Sequence, residues 1–447
     1  EVPDPEAATN DNAGADGDTA TDDAAPADDT AAADGATEDA TGTDVPTETF
    51  QITGTMTMPE NEMLLSGTPE DTLYEFNYPT VTMDLQIPLA ETDGASLPLN
   101  LEMTGIKGTQ RNVGTDGTTS TFDMVATALN VSSELSQPEG DLAFKFTLNN
   151  LTSKGTGAAP AGEFDYGTQL AEALNAGLKF DTTTGIESID GNFTFEQAAT
   201  PETPEKSANG TFTAGASEFA FAMAKEGMGY KARSVNTNAE INVSDLPFPI
   251  RYGVQETSAD LLIPLTKGEE AQPFKFAYTL GGLTFDDAIW DLFDPQKQLP
   301  RDPASLTLDL AGDALVSMDL FDPALSTPQV DANGMPVAPP VPLVPKTLQI
   351  NRVALDAIGA KADLSGNLDF GDNPEQPTGS IEGTFEGING LLDKAVAMGF
   401  VPQDQVMGMR MMMAMFAKPV EGETDKMETQ IEFREGGSIF ANGQQIK

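Results

Sequence analysis

From Thr49 onward apolar and polar residues alternate with period two, in segment after segment, and that spacing puts alternate side chains on opposite faces of a β-strand. In "LAFKFTL", Phe144, Phe146 and Leu148 alternate with Ala143, Lys145 and Thr147. "GNFTFE" aligns Phe193 with Phe195, and "SEFAFAMAKEG" aligns Phe219, Phe221 and Met223. "AEINV", "PFKFAY", "SLTLDLAG", "LVSMDL" and "TQIEF" follow the same rule, each bounded by Gly, Pro, Asn or Asp. More than a dozen strands with one polar face imply antiparallel pairing, because strands buried on both faces in a parallel sheet read as solid apolar runs.

Helical spacing is confined to three places. "DYGTQLAEALNAGLKF" sets Tyr166, Leu170 and Leu174 four apart before a stop at Gly177. A pair follows near the end, one helix from Asn389 and one from Pro402 with its exit at Pro419. Six prolines between Thr327 and Lys346 read as an extended loop or linker. The first 48 residues hold fifteen acidic residues, no basic one and little apolar bulk beyond Ala, so they read as a disordered leader. The expected organisation is a leader over residues 1–48, an antiparallel β region over 49–326, a Pro-rich loop or linker over 327–346, and strands with a helical pair and a terminal hairpin over 347–447.

Two echoes bear on internal duplication. "DLQIPLAETDGASLPLNLEM" from Asp84 and "DLLIPLTKGEEAQPFKFAY" from Asp260 align with one gap, and "DLFDP" occurs at Asp291 and again at Asp319. Duplication and convergent turn chemistry both account for them.

Composition removes whole classes of function. With 71 acidic against 23 basic residues and a net charge of −48, the chain is unsuited to nucleic acid. No Cys and no His are present, which excludes disulfides, thiolate metal sites and Ser-His-acid catalysis. No GxSxG elbow, Walker loop or dinucleotide glycine pattern is found. The acidic clusters of the leader lack the Gly and closing Glu of a calcium loop, so no cofactor is expected. Asp286, Asp287, Asp291, Asp294 and Asp302 crowd around Trp290, the only Trp, and leave a carboxylate hydrolase as an outside reading. Turn and capping roles account for these aspartates equally well, with Arg301 as an ion-pair partner.

Six of the eighteen methionines fall between Met407 and Met415. On a helical wheel Val406, Met409, Met413 and Phe416 form one stripe, and Met407, Met411 and Met415 form a second that is expected to face a partner. Thioethers also suit Cu(I), but no His or Cys assists them, and packing is the expected role.

"GLTFDDAIWDLFDPQKQLPRDPASLTLDLAGDA" (Gly282 to Ala314), "LAEALNAGLKF", "GMGYKARSVNTNAEINVSDLPFP" and "METQIEFREGGSIFANGQQI" resemble a domain-of-unknown-function family of alphaproteobacterial envelope proteins. The resemblance spans most of the chain after the leader and implies an exported protein, in agreement with a start at Glu1 rather than Met. It brings no catalytic residue. Its architecture is similar to AsmA-like envelope proteins, whose long β grooves are associated with lipids.

The expected fold is mainly β: a long curved antiparallel sheet, or a β-sandwich or groove, with a few short covering helices. So few helices cannot roof so many strands, so the apolar face meets a second sheet, curls on itself or holds an apolar ligand. The ligand-facing set is then Phe144, Phe146, Phe219, Phe221, Leu261, Ile263, Phe274, Phe276, Leu306 and Leu308. A non-enzymatic periplasmic or secreted protein binding lipid or another apolar molecule is the first reading. A structural or protein-interaction scaffold with a filled core is the second, and the hydrolase the third.

Overall fold

The computed structural model describes residues 52–89, 96–115, 117–138, 140–201, 203–321, 341–371 and 373–447. The acidic leader and residues 327–340 of the Pro-rich stretch lie outside the described residues. The chain opens with β1 (Thr53–Thr57), β2 (Glu62–Thr68), β3 (Asp71–Pro88), β4 (Ser96–Val113), β5 (Thr118–Gln137) and β6 (Gly140–Ala159). After α1 (Leu170–Asn175) come β7 (Lys179–Gln197), β8 (Lys206–Ala214), β9 (Ser217–Ala224), β10 (Gly227–Val243), β11 (Ile250–Ile263) and β12 (Gln272–Phe285). Then follow α2 (Asp287–Phe293), β13 (Ala304–Val316), β14 (Leu343–Ala357), β15 (Ala360–Asp369) and β16 (Thr378–Glu386). The chain ends with α3 (Ile388–Ala397), α4 (Gln403–Phe416), β17 (Lys418–Pro419), β18 (Lys426–Arg434), β19 (Ser438–Ala441) and β20 (Gln444–Gln445).

The described strands form one twenty-stranded antiparallel sheet in which the chain runs as a meander. Two strand positions are cut in half. β1 and β2 lie end to end along β3 in a single register, and β8 and β9 lie end to end between β7 and β10. β1 and β2 pair with β3 alone, so the sheet is open at that edge among the described residues.

Three sequence expectations need adjustment. α1 covers six residues rather than the whole run from Tyr166, which lies in the preceding turn and is exposed. Leu343–Lys346 belong to β14, paired with the end of β13, so the extended segment stops before them. The Asp-rich block around Trp290 contains a helix, α2, where turns were expected. Asp286 caps it by accepting a hydrogen bond from the Ile289 N–H at 3.3 Å, which satisfies one of the free N–H groups of the first turn.

The alternation also does not run unbroken along the long strands. In β4 the apolar face passes from Leu99, Leu101 and Met103 to Ile106, so odd positions give way to even ones across Gly105, which has φ +63. The same exchange occurs at Asn150 (φ 49) in β6, Asn236 (φ 54) in β10 and Gly282 (φ 67) in β12. Facing strands skip a pair at the same level, opposite Gly105 at Pro79, opposite Asn150 at Thr127 and Glu187, and opposite Asn236 at Gln255. Each strand therefore carries its extra residue in step with its neighbours, and one apolar face is kept throughout. The register is the same on both sides of the skipped pairs at Gly105, Asn150 and Asn236, so these are symmetric breaks in the ladder, and only Gly282 lies at a register shift, between β12 and β13. Here they line up into a seam running across the strands from the β1/β2 break to β12.

From β13 the architecture changes. β13 begins at Ala304 opposite Leu283, and the β14–β15 turn, the end of β16 and the start of β18 stand in line with it. These strands extend to one side of the seam only. α2, α3 and α4 all leave from strand ends at that level.

Candidate functional site, an open apolar valley

The seam is also the deepest line of the apolar face. Ile106, Ala126, Leu151 and Ile186, on successive strands β4 to β7, are only 4–8% exposed and form a cluster with Met103, Met124, Leu129, Leu148 and Ile189 on either side. Ser217, Ala214 and Ala239 continue the buried line across β9, β8 and β10. Away from it the same face opens to solvent, with Phe180, Phe195 and Tyr230 exposed although they point the same way. A filled sandwich would bury such rings between its layers. A buried line flanked by rising exposure describes instead a valley whose floor crosses the strands, about 43 Å long for ten strand positions at their usual spacing.

All ten residues expected to face a ligand lie on this face. Phe144 stands opposite Phe193, Tyr230 links Phe221 to Leu261, Leu261 stands opposite Phe276, and Leu308 opposite Tyr278. Ile263 faces Met228, Phe274 faces Gly312, and Leu306 faces Leu280. None is fully buried: Phe219 is 38% and Phe276 44% exposed, and the others are half-buried. Phe144 and Phe146 lie on one wall, and the other eight on the opposite wall.

The walls are smoothed by rings lying over glycines. A Cβ at Gly191 would collide with the Phe146 ring, one at Gly155 with Phe122, one at Gly108 with Phe76, and one at Gly210 with Phe193. Phe146 and Phe212 meet edge-on across Gly191 with centroids 6.5 Å apart. An aromatic ring that covers a neighbouring glycine lies along the sheet instead of standing up from it. The valley therefore stays open where upright rings would fill it. Sequence reasoning found Phe146 and Phe193 but not Phe76 or Phe122, nor the glycines beneath these rings, although each pair is visible in the sequence as Phe and Gly at matched positions of adjacent strands.

The opposite face is polar and carries ion pairs between neighbouring strands, among them Arg251–Glu240 at 2.9 Å, Lys275–Asp260 at 2.7 Å and Arg352–Asp363 at 2.8 Å. Two shallow, open hollows of about 430 Å³ each indent this polar face. Their charges are already matched, Arg251 with Glu240 and Lys418 with Glu428. The valley is the better candidate for an apolar ligand, since apolar side chains line its floor and walls.

The aspartates near Trp290 are engaged in holding their own block. Arg301 pairs with Asp287 and, at 2.6 Å, with Asp291, and its guanidinium lies 5.8 Å from the Trp290 ring centre. Asp294 is almost wholly buried; burial pushes its carboxyl up, but the N–H groups of Gln298 and Leu299, both at 2.8 Å, together with Arg301 and Lys394, bring it below the ordinary value. The Arg301 hydrogen bond likewise lowers Asp287. Trp290 packs on Phe293 at 5.2 Å, while Phe285 and Leu292 remain exposed.

In α4 only Val406 is buried. Met413 is half-buried, but Met409 and Phe416 are exposed, so the inner stripe is narrower than the helical wheel implies. Met407, Met411 and Met415, expected to face a partner, are 67%, 67% and 55% exposed.

The family model described as an uncharacterized protein conserved in bacteria (DUF2125) matches residues 188–440, from within β7 into β19. That span takes in the Trp290 block and most of the closing hairpins, while Leu170–Phe180 precedes it. No curated protein and no solved structure matches the chain.

Proposed function

The chain belongs to the DUF2125 family of uncharacterized bacterial proteins, and from that premise we propose that it is a non-enzymatic envelope protein whose valley binds a lipid or another long apolar molecule. The observation that carries the reading is the buried line Ile106, Ala126, Leu151 and Ile186, flanked by exposed rings on one face of an open sheet. An acyl chain laid along this floor would remove both its own surface and the flanking rings from water, at roughly 25 cal/mol for each Å² of apolar area.

The test is extraction of the natively purified protein with organic solvent, followed by mass spectrometry and titration of the delipidated protein with a fluorescent fatty acid. Co-purifying lipid and saturable uptake are expected. An empty preparation that takes up no probe overturns the reading. Cell fractionation that finds the protein in the cytoplasm overturns the envelope location.

A second reading rests on α4. Four adjacent exposed methionines, Met407, Met411, Met412 and Met415, form an adaptable apolar surface suited to a protein partner. Changing Met407, Met411 and Met415 to Gln leaves stability within about 0.5 kcal/mol and abolishes any association through this helix. Unchanged association removes α4 from consideration.

A further inference from the structure

The floor of the valley changes its chemistry along its length. Ala126, Leu151, Ile186, Ser217, Ser234 and Thr257 stand opposite one another in a single row that crosses the sheet from β5 to β11. The first three are apolar and the last three carry hydroxyls, and the row turns apolar again at Leu280 on β12. Thr237, across the seam from Ser234, adds a fourth hydroxyl: the exchange of alternation at Asn236 returns it to the valley face together with Ala239, which stands opposite Phe212. Ser217 and Ser234 bond to each other at 2.9 Å. Ser153 and Thr184, one step up the wall from Leu151 and Ile186, likewise bond to each other at 3.0 Å. Thr237 and Thr257 are half-buried and have no hydrogen-bond partner among the described residues. The charged neighbours alternate onto the polar face, where Arg233 pairs with Glu256 at 2.9 Å, so the hydroxyl cluster itself is uncharged.

On the reading of the valley as a lipid site, an occupant covering this floor takes Thr237 and Thr257 out of water. A purely hydrocarbon occupant would leave both hydroxyls unsatisfied, which is costly. A carboxylate or phosphate end would find no cation in the cluster and is repelled by a chain of net charge −48. We propose that the occupant is an uncharged acyl ester, its chain lying over Ile106 to Ile186 and its oxygen-bearing end over the hydroxyls of β9 to β11. The apolar stretch of floor from β3 to β7 measures about 19 Å at the usual strand spacing, room for one extended acyl chain.

The test loads the delipidated full chain with diphenylhexatriene, an uncharged fluorescent hydrocarbon, and displaces it with monopalmitoylglycerol, palmitate or hexadecane. Monopalmitoylglycerol is expected to act at concentrations about tenfold lower than the other two. The triple variant Ser234→Ala, Thr237→Val, Thr257→Val removes that advantage, leaves hexadecane at least as effective and keeps the circular dichroism of the unmodified chain. Thr257→Val alone reduces the advantage about threefold and serves where the triple variant does not fold. Equal displacement by the three competitors, or a folded variant that keeps the full advantage, overturns the assignment of the hydroxyls and leaves the apolar valley standing. Failure of diphenylhexatriene to bind overturns the valley reading, and this inference with it.

Discussion

Strand positions from β3 to β12 extend to both sides of the seam, β8 and β9 sharing one of them end to end, whereas β13 to β16 and β18 lie on one side of it, with α2 to α4 leaving from strand ends at that level. The first region has two walls and a buried floor; the second has one wall. β5 and β6 are 20 residues long, while β16 and β18 are nine. The two-walled form of the first region thus follows from strand length and from the exchange of alternation at mid-strand.

The difference can be broken most directly at the floor. Leu151→Ala, at 8% exposure, is expected to cost about 3 kcal/mol in chemical denaturation. Leu308→Ala, half-buried on the one-walled side, costs about 1 kcal/mol. Equal losses would mean that both regions are packed alike. Next is the wall surface. Gly191→Ala forces the Phe146 ring off its glycine and costs about 2 kcal/mol. Adding Phe146→Leu should recover part of that loss if the ring is the obstacle.

Backbone conformation gives smaller effects of opposite sign. Asn150→Val places a β-branched residue at φ 49 on the seam and costs about 1.5 kcal/mol. In the other region Ile358, also at φ 49, already occupies the two-residue β14–β15 turn, where Asn-Gly is preferred. Ile358→Asn is expected to add about 1 kcal/mol of stability. The Asn442–Gly443 turn between β19 and β20 shows the favourable pairing at φ 49 and 84.

The gentlest test is acid. Asp71, Glu240, Asp287 and Asp294 all have lowered carboxyl pKa values in the folded chain: hydrogen bonds from Arg111, Arg251 and Arg301 lower the first three, and at Asp294 backbone N–H bonds outweigh burial. Each binds protons less readily folded than unfolded. Their contribution is therefore full above the ordinary carboxylate range, about pH 4, and is lost as pH falls through the lowered folded values. Asp294→Asn should flatten the acid limb of a stability–pH profile.

The strands and their apolar face were legible because period two survives within each half-strand. The seam was not, since Gly105, Asn150, Asn236 and Gly282 each read locally as turn residues, and only pairing across strands places them in one row. The Met-rich helix was found within a few residues of its limits: Pro402, expected in the first turn, is its N-cap, and it ends at Phe416, short of the expected exit at Pro419. α2 was missed because Asp-Asp and Asp-Pro speak for turns, although Asp286 followed by Ile289 and Trp290 carries a capping signal. The two segments of the longer echo, from Asp84 and Asp260, lie in the β3–β4 and β11–β12 hairpins, which turn at opposite ends of the sheet. Of the candidate site, the ten residues named from sequence fall on its walls, whereas the floor residues Ile106, Ala126, Leu151 and Ile186 were not named, because their burial comes from the packing of neighbouring strands at the seam.

Ladder pairs are missing in one straight row, so the sheet is creased there like folded paper. Opening or shutting about a crease strains fewer hydrogen bonds than bending anywhere else.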